Sequence, residues 1–460
     1  MGVGEPAANR PAAWRRADPG HARKPRVAFF SPLPPRRSGV ADYALSLLRE
    51  LRSEYEIDVY HDAGYVPDPG VSGEFLCRDH RTFSRYAPAV GYDAVVYQMG
   101  NSRYHAYLYP IMLAHPGVVT LHDVCLVGLH LDLGARSGAG LGVLRDELTR
   151  WYPESAARLQ ERLGGWSNGA AREEIERACV AEGWLLNRRL LASENLVVVH
   201  SPWSRDRLFE QDPGASERVE LIPLGGVPRR LSDDERAAVR DRFDIPRDAL
   251  VVASLGFVHP DKLGAEALDA FAGAARDVPS ALFVFVGEEA DGGVARGHAA
   301  SLGLGDRVRF LGRRTLDEFA DLASAADVGV NLRRPPTNGE TSAALLQFLG
   351  SGVATVVTDV GTFSDFPDAV VRKVAWDEGG PGRLGDVLRG LMTDDPARKA
   401  LGDAAREHVR LLHAWPVVAG QYVEVIERAR AAARGGTSGP KNPANAPAVA
   451  AGPRPQELAR

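Results

Sequence analysis

The feature that most restricts the fold is a repeated local pattern: a short apolar run, a turn rich in small or polar residues, then apolar residues at helical spacing. Arg26–Phe30 (RVAFF) leads through SPLPPRRSG into ADYALSLLREL. The same kind of run returns at Ile57–His61 (IDVYH), Ala94–Met99 (AVVYQM), Val118–His122 (VVTLH) and Leu196–His200 (LVVVH). These runs lack the polar alternation of a half-exposed sheet, as expected of parallel strands covered by helices on both faces. After Val219–Gly226 (VELIPLGG) and a charged stretch, Pro228–Asp248, the pattern restarts. Its second series is Leu250–Gly256 (LVVASLG), Ala281–Gly287 (ALFVFVG), Val308–Gly312 (VRFLG), Asp327–Leu332 (DVGVNL) and Ala354–Asp359 (ATVVTD). Strands alternating with helices, twice over, predict an α/β protein of two facing Rossmann-like, doubly wound domains. Ligands of such sheets bind beyond the carboxyl ends of the strands, so two facing sheets share one cleft.

The expected boundaries are residues 25–227 for the first domain and 228–405 for the second. A helical insertion, Leu126–Gly183, interrupts the first, and it reads equally as a separately packed subdomain or as an acceptor-binding wall. Residues 406–434 form a helical pattern broken at Pro416, expected to pack back on the first domain. Residues 1–24 and 435–460, rich in Pro, Ala, Arg or Gly, are expected to be disordered.

Composition removes several functions. A net charge of -5 and a pI near 6.2 disfavour nucleic acid, whose phosphates call for a basic surface. Cys77, Cys125 and Cys179 are odd in number and lack C-x-x-C spacing, so they read as reduced thiols in a cytoplasmic protein. No apolar run approaches a membrane span, which leaves only peripheral association with a membrane. A P-loop, a G-x-S-x-G elbow and a full G-x-G-x-x-G fingerprint are all missing. No metal-ligand spacing stands at a strand end, and neither a metal nor a cofactor is expected.

The candidate site residues all follow strand ends. In RPPTNGETSAALLQFLGSG, Glu340, Thr341 and Ser342 are predicted to open a helix whose free N–H groups suit a diphosphate. Thr341 and Ser342 add hydroxyls, and Glu340 suits sugar hydroxyls better than phosphate. The alternative is ordinary N-capping with Glu340 a first-turn acid. In SLGFVHPDKLG, Gly256 ends a strand and Lys262 supplies a compact cation; a solvated lysine is the alternative. Gly39, in the loop after the first run, permits close backbone approach, with Arg37 and Ser38 beside it. His122 and Asp123 end another run, where His122 reads as an acid/base or sugar-orienting group or as a structural histidine. Asn101 is placed to hydrogen-bond an acceptor together with Asp123. HSPWSRDRL reads as a turn capping a helix.

Together these segments resemble glycosyltransferase family 4, of GT-B fold, over roughly residues 26–433. SGVADYALSLLREL is similar to that family's first glycine loop and helix, VVTLHD to its strand with a donor-site histidine, and IPLGG to its entry into the linker. GFVHPDKLG is similar to its phosphate turn, and GETSAALLQFLGSGVATVVTDVG to its donor-site helix and following strand. The resemblance implies metal-independent transfer, with retention, from a nucleoside-diphosphate sugar to a glycan, lipid-linked or small-molecule acceptor. It also implies that Gly39 and Lys262 meet the diphosphate and that His122 and Glu340 meet the sugar. Two departures stand out. Phe257 occupies the place where the family commonly carries arginine. Of the usual glutamate pair, Gln347 takes the second position, where it suits a ribose hydroxyl, and Glu340 lies one residue late for the first. The alternatives are a non-catalytic nucleotide-sugar-binding homologue and a sugar-nucleotide epimerase on the same fold.

Overall fold

The computed structural model describes residues 23–162, 172–290 and 292–435. Two wholly parallel sheets organise the chain. The first contains β1 (Arg26–Phe30), β2 (Glu56–His61), β3 (Leu76–Asp79), β4 (Ala94–Met99), β5 (Val118–Leu121), β6 (Leu196–Val199) and β7 (Val219–Leu221), in the order β3-β2-β1-β4-β5-β6-β7. The second contains β8 (Leu250–Leu255), β9 (Ala281–Val286), β10 (Val308–Phe310), β11 (Val328–Asn331), β12 (Ala354–Thr358) and β13 (Arg372–Val374), in the order β10-β9-β8-β11-β12-β13. Strand order reverses between β1 and β4 in one sheet and between β8 and β11 in the other. The loops after these strands diverge to opposite faces and leave a crevice at each reversal.

Central strands bury every side chain or nearly so: Val27, Ala28, Phe29 and Phe30 in β1, and all six residues of β9. This is the physical counterpart of uninterrupted apolar runs, since helices cover both faces. A polar ring ties the amino ends of the first sheet, where Arg26 makes a bidentate pair with Asp58 at 2.9 and 3.0 Å.

The helical insertion contains helices Val127–Ser137, Gly142–Trp151, Pro153–Arg162 and Arg172–Ala181, and shares one apolar cluster with β4, β5 and β6. Helix Asp395–His408 passes through a π-turn at Val409–His413 and restarts as Trp415–Gly435, with Pro416 in its first turn rather than its interior. That last helix lies on the first lobe. The Tyr422 hydroxyl meets the Tyr43 hydroxyl at 3.0 Å and Thr120 Oγ1 at 2.9 Å, and Arg428 pairs with Glu220 at 2.6 Å. Tyr43, Leu224, Leu349 and Tyr422 belong to one buried cluster, so the lobes share a continuous core.

The chain crosses between the lobes twice, at the same place. Gly226 N donates to the His413 carbonyl at 2.7 Å, and Gly226 and Ala414 form a parallel bridge. The residues expected to be disordered fall almost wholly outside the described residues. Among the described residues no helix is long and apolar enough to cross a membrane.

Candidate functional site

The carboxyl-end loops of the two sheets meet. Arg37, after β1, lies 3.6 Å from Glu288, after β9. On the other side of the cleft, Cys125 N donates to the Asn338 carbonyl at 3.2 Å and Ser204 Oγ to the Gly339 carbonyl at 3.3 Å. Gly339 sits at φ +80, and a Cβ there would fall 2.4 Å from Val124 and 2.7 Å from Trp203. Only glycine lets this loop press against the first lobe while holding that backbone conformation.

Within the cleft, the second lobe contributes a compact polar group. Lys262 closes the 3-10 turn Pro260–Lys262, and its ammonium reaches back over Gly256, where an added Cβ would meet Nζ at 2.5 Å. Arg334 N donates to the Asp261 carbonyl at 2.7 Å, which stitches that turn to the loop leaving β11. The same loop carries Arg333, whose Nε donates to Glu340 Oε1 at 3.2 Å. Thr362 Oγ1 donates to the Glu340 carbonyl at 2.8 Å and fixes the far end of the loop. Burial, reinforced by the nearby Arg333, pulls the Lys262 ammonium down to about 7, against an opposing pull from Glu340. Among the described residues its Nζ has no hydrogen bond or salt bridge. Glu340 Oε2, Thr337 Oγ1 and Asn331 Oδ1 are likewise buried without a hydrogen-bond partner. A buried polar atom left unpaired costs roughly 1–3 kcal/mol, so Glu340 Oε2, close to the Lys262 ammonium, marks a place for a polar ligand.

The first lobe contributes Asp123, whose Oδ2 accepts from Asn101 N at 2.8 Å. Burial first, and then the carboxylates of Glu340 and Glu176, push Asp123 up to about 7. Glu176 belongs to the insertion, so one wall of this lobe's site is built from that segment. Gly39 begins helix Gly39–Leu51 behind the N-cap Ser38, and nothing lies within 4 Å of where its Cβ would stand. In the same first turn, burial raises Asp42 to about 6 while Arg313, across the cleft, opposes the shift.

Several sequence expectations take a different form. Helix Ala343–Gly350 starts after Glu340 and Thr341, and Ser342 is its N-cap, with Oγ accepting from Leu345 N at 3.2 Å. The Ser342 hydroxyl is therefore spent on its own helix. Thr341 and Gln347 are half-buried at the cleft end of this segment and on the helix. The Asn101 amide oxygen is used as well, accepting from Leu129 N at 3.0 Å. His122 is not an available acid or base. Its Nε2 lies 2.9 Å from Gln98 Oε1, its Nδ1 lies 3.1 Å from His200 Nε2, and burial holds it well below the usual histidine range. It fixes the strand end that presents Asp123. Ser201 caps helix Pro202–Gln211, with Oγ accepting from Ser204 N at 3.0 Å.

Sequence reasoning passed over Arg333 and gave Thr337, within its chosen segment, no role. The segment it singled out begins at Arg334, one residue too late; the available signal was that Arg333 immediately follows the strand DVGVNL. Elsewhere, a hollow of about 500 Å³ opens at the amino ends of β8 and β11, but its Arg236 and Arg240 are already paired with Asp327. No group of three or more His, Cys, Asp or Glu side chains among the described residues could hold a metal ion.

Two doubly wound parallel domains with their carboxyl ends facing across a polar cleft define the GT-B architecture. A solved Anabaena protein, HepE in complex with UDP-glucose, has this fold, with a TM-score of 0.60, 14% identity, and 88% of this chain and 99% of that chain covered. A glycosyltransferase from Rickettsia africae gives 0.62 at 12% identity, covering 89% and 99%. Within this frame, residues 235–408, most of the second lobe, match the family model described as glycosyl transferases group 1. The chain is 31% identical over 188 residues to D-inositol 3-phosphate glycosyltransferase of Streptosporangium roseum, 38% of this chain and 42% of that protein. It spans about half the length of the curated relatives it matches.

Proposed function

We propose that this chain is a glycosyltransferase that takes a sugar from a nucleoside diphosphate and passes it to a glycan, lipid-linked or small-molecule acceptor. The observation that carries this reading is the cluster of Lys262, Arg333 and Glu340 at the carboxyl ends of β8 and β11, in which the Lys262 ammonium has no partner among the described residues and Glu340 Oε2 is buried and unpaired. A nucleoside-diphosphate sugar supplies what that cluster lacks: anionic oxygens for Lys262 and hydroxyls for Glu340. From the other lobe the Gly39 N–H, which donates to no group among the described residues, is available to the same anion, while Val40 N is held by Ser38 Oγ.

In this reading the bond between the anomeric carbon and the diphosphate oxygen breaks as the bond to the acceptor oxygen forms on the same face of the sugar. The acceptor proton passes to the departing phosphate oxygen, so configuration is retained and no separate base is needed. Lys262 stabilises charge growing on the leaving group, and Asp123 accepts a hydrogen bond from an acceptor hydroxyl. Neither a metal nor a cofactor enters the step, and the work is done on the cytoplasmic side.

The test is transfer from a panel of UDP-, GDP-, ADP- and TDP-sugars, preceded by a thermal-shift screen to choose the base. Lys262→Ala and Glu340→Ala should each lower transfer by about 100-fold or more while the protein stays folded. Undiminished transfer by both variants would remove the assignment. Nucleotide binding without turnover on any donor would favour a non-catalytic binding protein, a reading to which Gln347 and Phe257 lend support. Conversion of the donor with no acceptor present would mark an epimerase.

A further inference from the structure

We infer that Arg333 supplies the second cation of the diphosphate site, doing from β11 what Phe257 cannot do from the turn after β8. The inference rests on the reading that a nucleoside diphosphate binds here. It starts from charge. The Arg334 N to Asp261 carbonyl bond holds the Arg333 and Lys262 loops side by side, near enough for Arg333 to oppose protonation of Lys262, and the side chain of Arg333 is largely enclosed at 12% exposure. Among the described residues Glu340 is the only acid that pairs with either side chain's charged group, and it reaches Arg333 alone. Two cations around one carboxylate leave an excess positive charge away from bulk water. Such an arrangement is costly unless a further anion joins it.

The local geometry fits that anion. Glu340 Oε1 occupies Arg333 Nε and the Leu332 carbonyl accepts from Nη1 at 2.8 Å, while Nη2 has no hydrogen bond among the described residues. The guanidinium rests 5.5 Å from the Phe363 ring centroid, which restricts where it can swing. Lysine presents a point charge, and arginine adds a directed N–H, so the pair is suited to two linked phosphoryl groups. Phe257 is exposed, at 53%, and offers no charge. β8 and β11 are adjacent strands, so a cation after either one reaches the same crevice.

Calorimetric titration with inorganic pyrophosphate and with UDP, GDP, ADP and TDP separates the outcomes. Pyrophosphate carries no sugar or base and reads the diphosphate site alone. Arg333→Gln should weaken pyrophosphate binding by about tenfold or more, the loss expected for one charge-assisted contact. Glu340→Gln should leave it unchanged or tighter, because a competing negative charge is removed. Phe257→Arg in the Arg333→Gln background should recover much of the loss. Thermal melts confirm that each variant is folded. Binding by Arg333→Gln within threefold of the parent would overturn the inference. So would equal weakening in Glu340→Gln, which would make Arg333 only a prop for that carboxylate, or a double variant no tighter than Arg333→Gln. If the unaltered protein binds none of these probes, it is the diphosphate reading itself that fails.

Discussion

Lys262 and Asp123 hold opposite charges in opposite lobes, and both are shifted toward neutrality at physiological pH. A lysine whose folded value lies below its unfolded value binds fewer protons when folded. Its contribution to stability therefore rises with pH, from about 7 up to the ordinary lysine range. A diphosphate would reverse the shift, since negative charge favours the ammonium. At pH 7.5 the binding of UDP or another matching nucleoside diphosphate should then take up a fraction of a proton. The expected sign is a binding enthalpy that depends on buffer ionisation enthalpy in the direction of uptake. Lys262→Arg, charged throughout this range, should lose that dependence. For Asp123 the sign is inverted. The folded value of about 7 exceeds the unfolded one of 3.8, so stability falls as pH climbs between them. Asp123→Asn, which keeps an acceptor for Asn101 N, should raise Tm by about 1–3 °C at pH 8 and leave it unchanged at pH 4.

Elements differed in how plainly they could be read. A central strand such as β9 is apolar throughout because helices cover both its faces, and an uninterrupted apolar run is the trace this leaves in sequence. β3 (LCRD) and β13 (RKV) are edge strands, half-exposed and charged, and nothing in their letters separates them from loop. The start of helix Ala343–Gly350 was misplaced because Thr341 and Ser342 are both suitable caps, and only the bond from Ser342 Oγ to Leu345 N decides between them. Arg333 stayed hidden for a related reason, since its significance lies in nearness to Lys262, 71 positions away in the chain, and in the Asp261–Arg334 bond that holds the two loops together. The histidine at 122 shows the reverse case. Its letter and position suggest chemistry, but His200 and Gln98 have already claimed both ring nitrogens. The last helix carries a prediction of its own. Tyr422 is fully buried between Tyr43 and Thr120, so Tyr422→Ala should cost about 3–5 kcal/mol, seen as an earlier first transition in urea.

At the scale of the whole molecule, the same strand-order reversal in both sheets sets the location of the site. Each reversal opens a crevice, and the shared core holds the two crevices opposite each other. On the proposed reading, residues far apart in the chain, Gly39, Asp123, Lys262 and Glu340, act on one ligand without any of them being neighbours in sequence. The junction behind the cleft is packed tightly. A Cβ on Gly225 would fall 2.5 Å from the Trp415 ring, so Gly225→Ala should destabilise the protein by about 1–3 kcal/mol, measurable as a lower urea midpoint.

The paired passage at Gly226 and Ala414 also limits how the lobes can move relative to one another. Because both backbone links between the lobes are bonded side by side, neither lobe can slide or drift independently of the other. A motion that keeps both bonds intact is a swing about a single line through that pair, and in such a swing each point in the mouth parts in proportion to its distance from the line. On the proposed reading, admitting a donor and letting go of its nucleotide would be one rotation run in two directions.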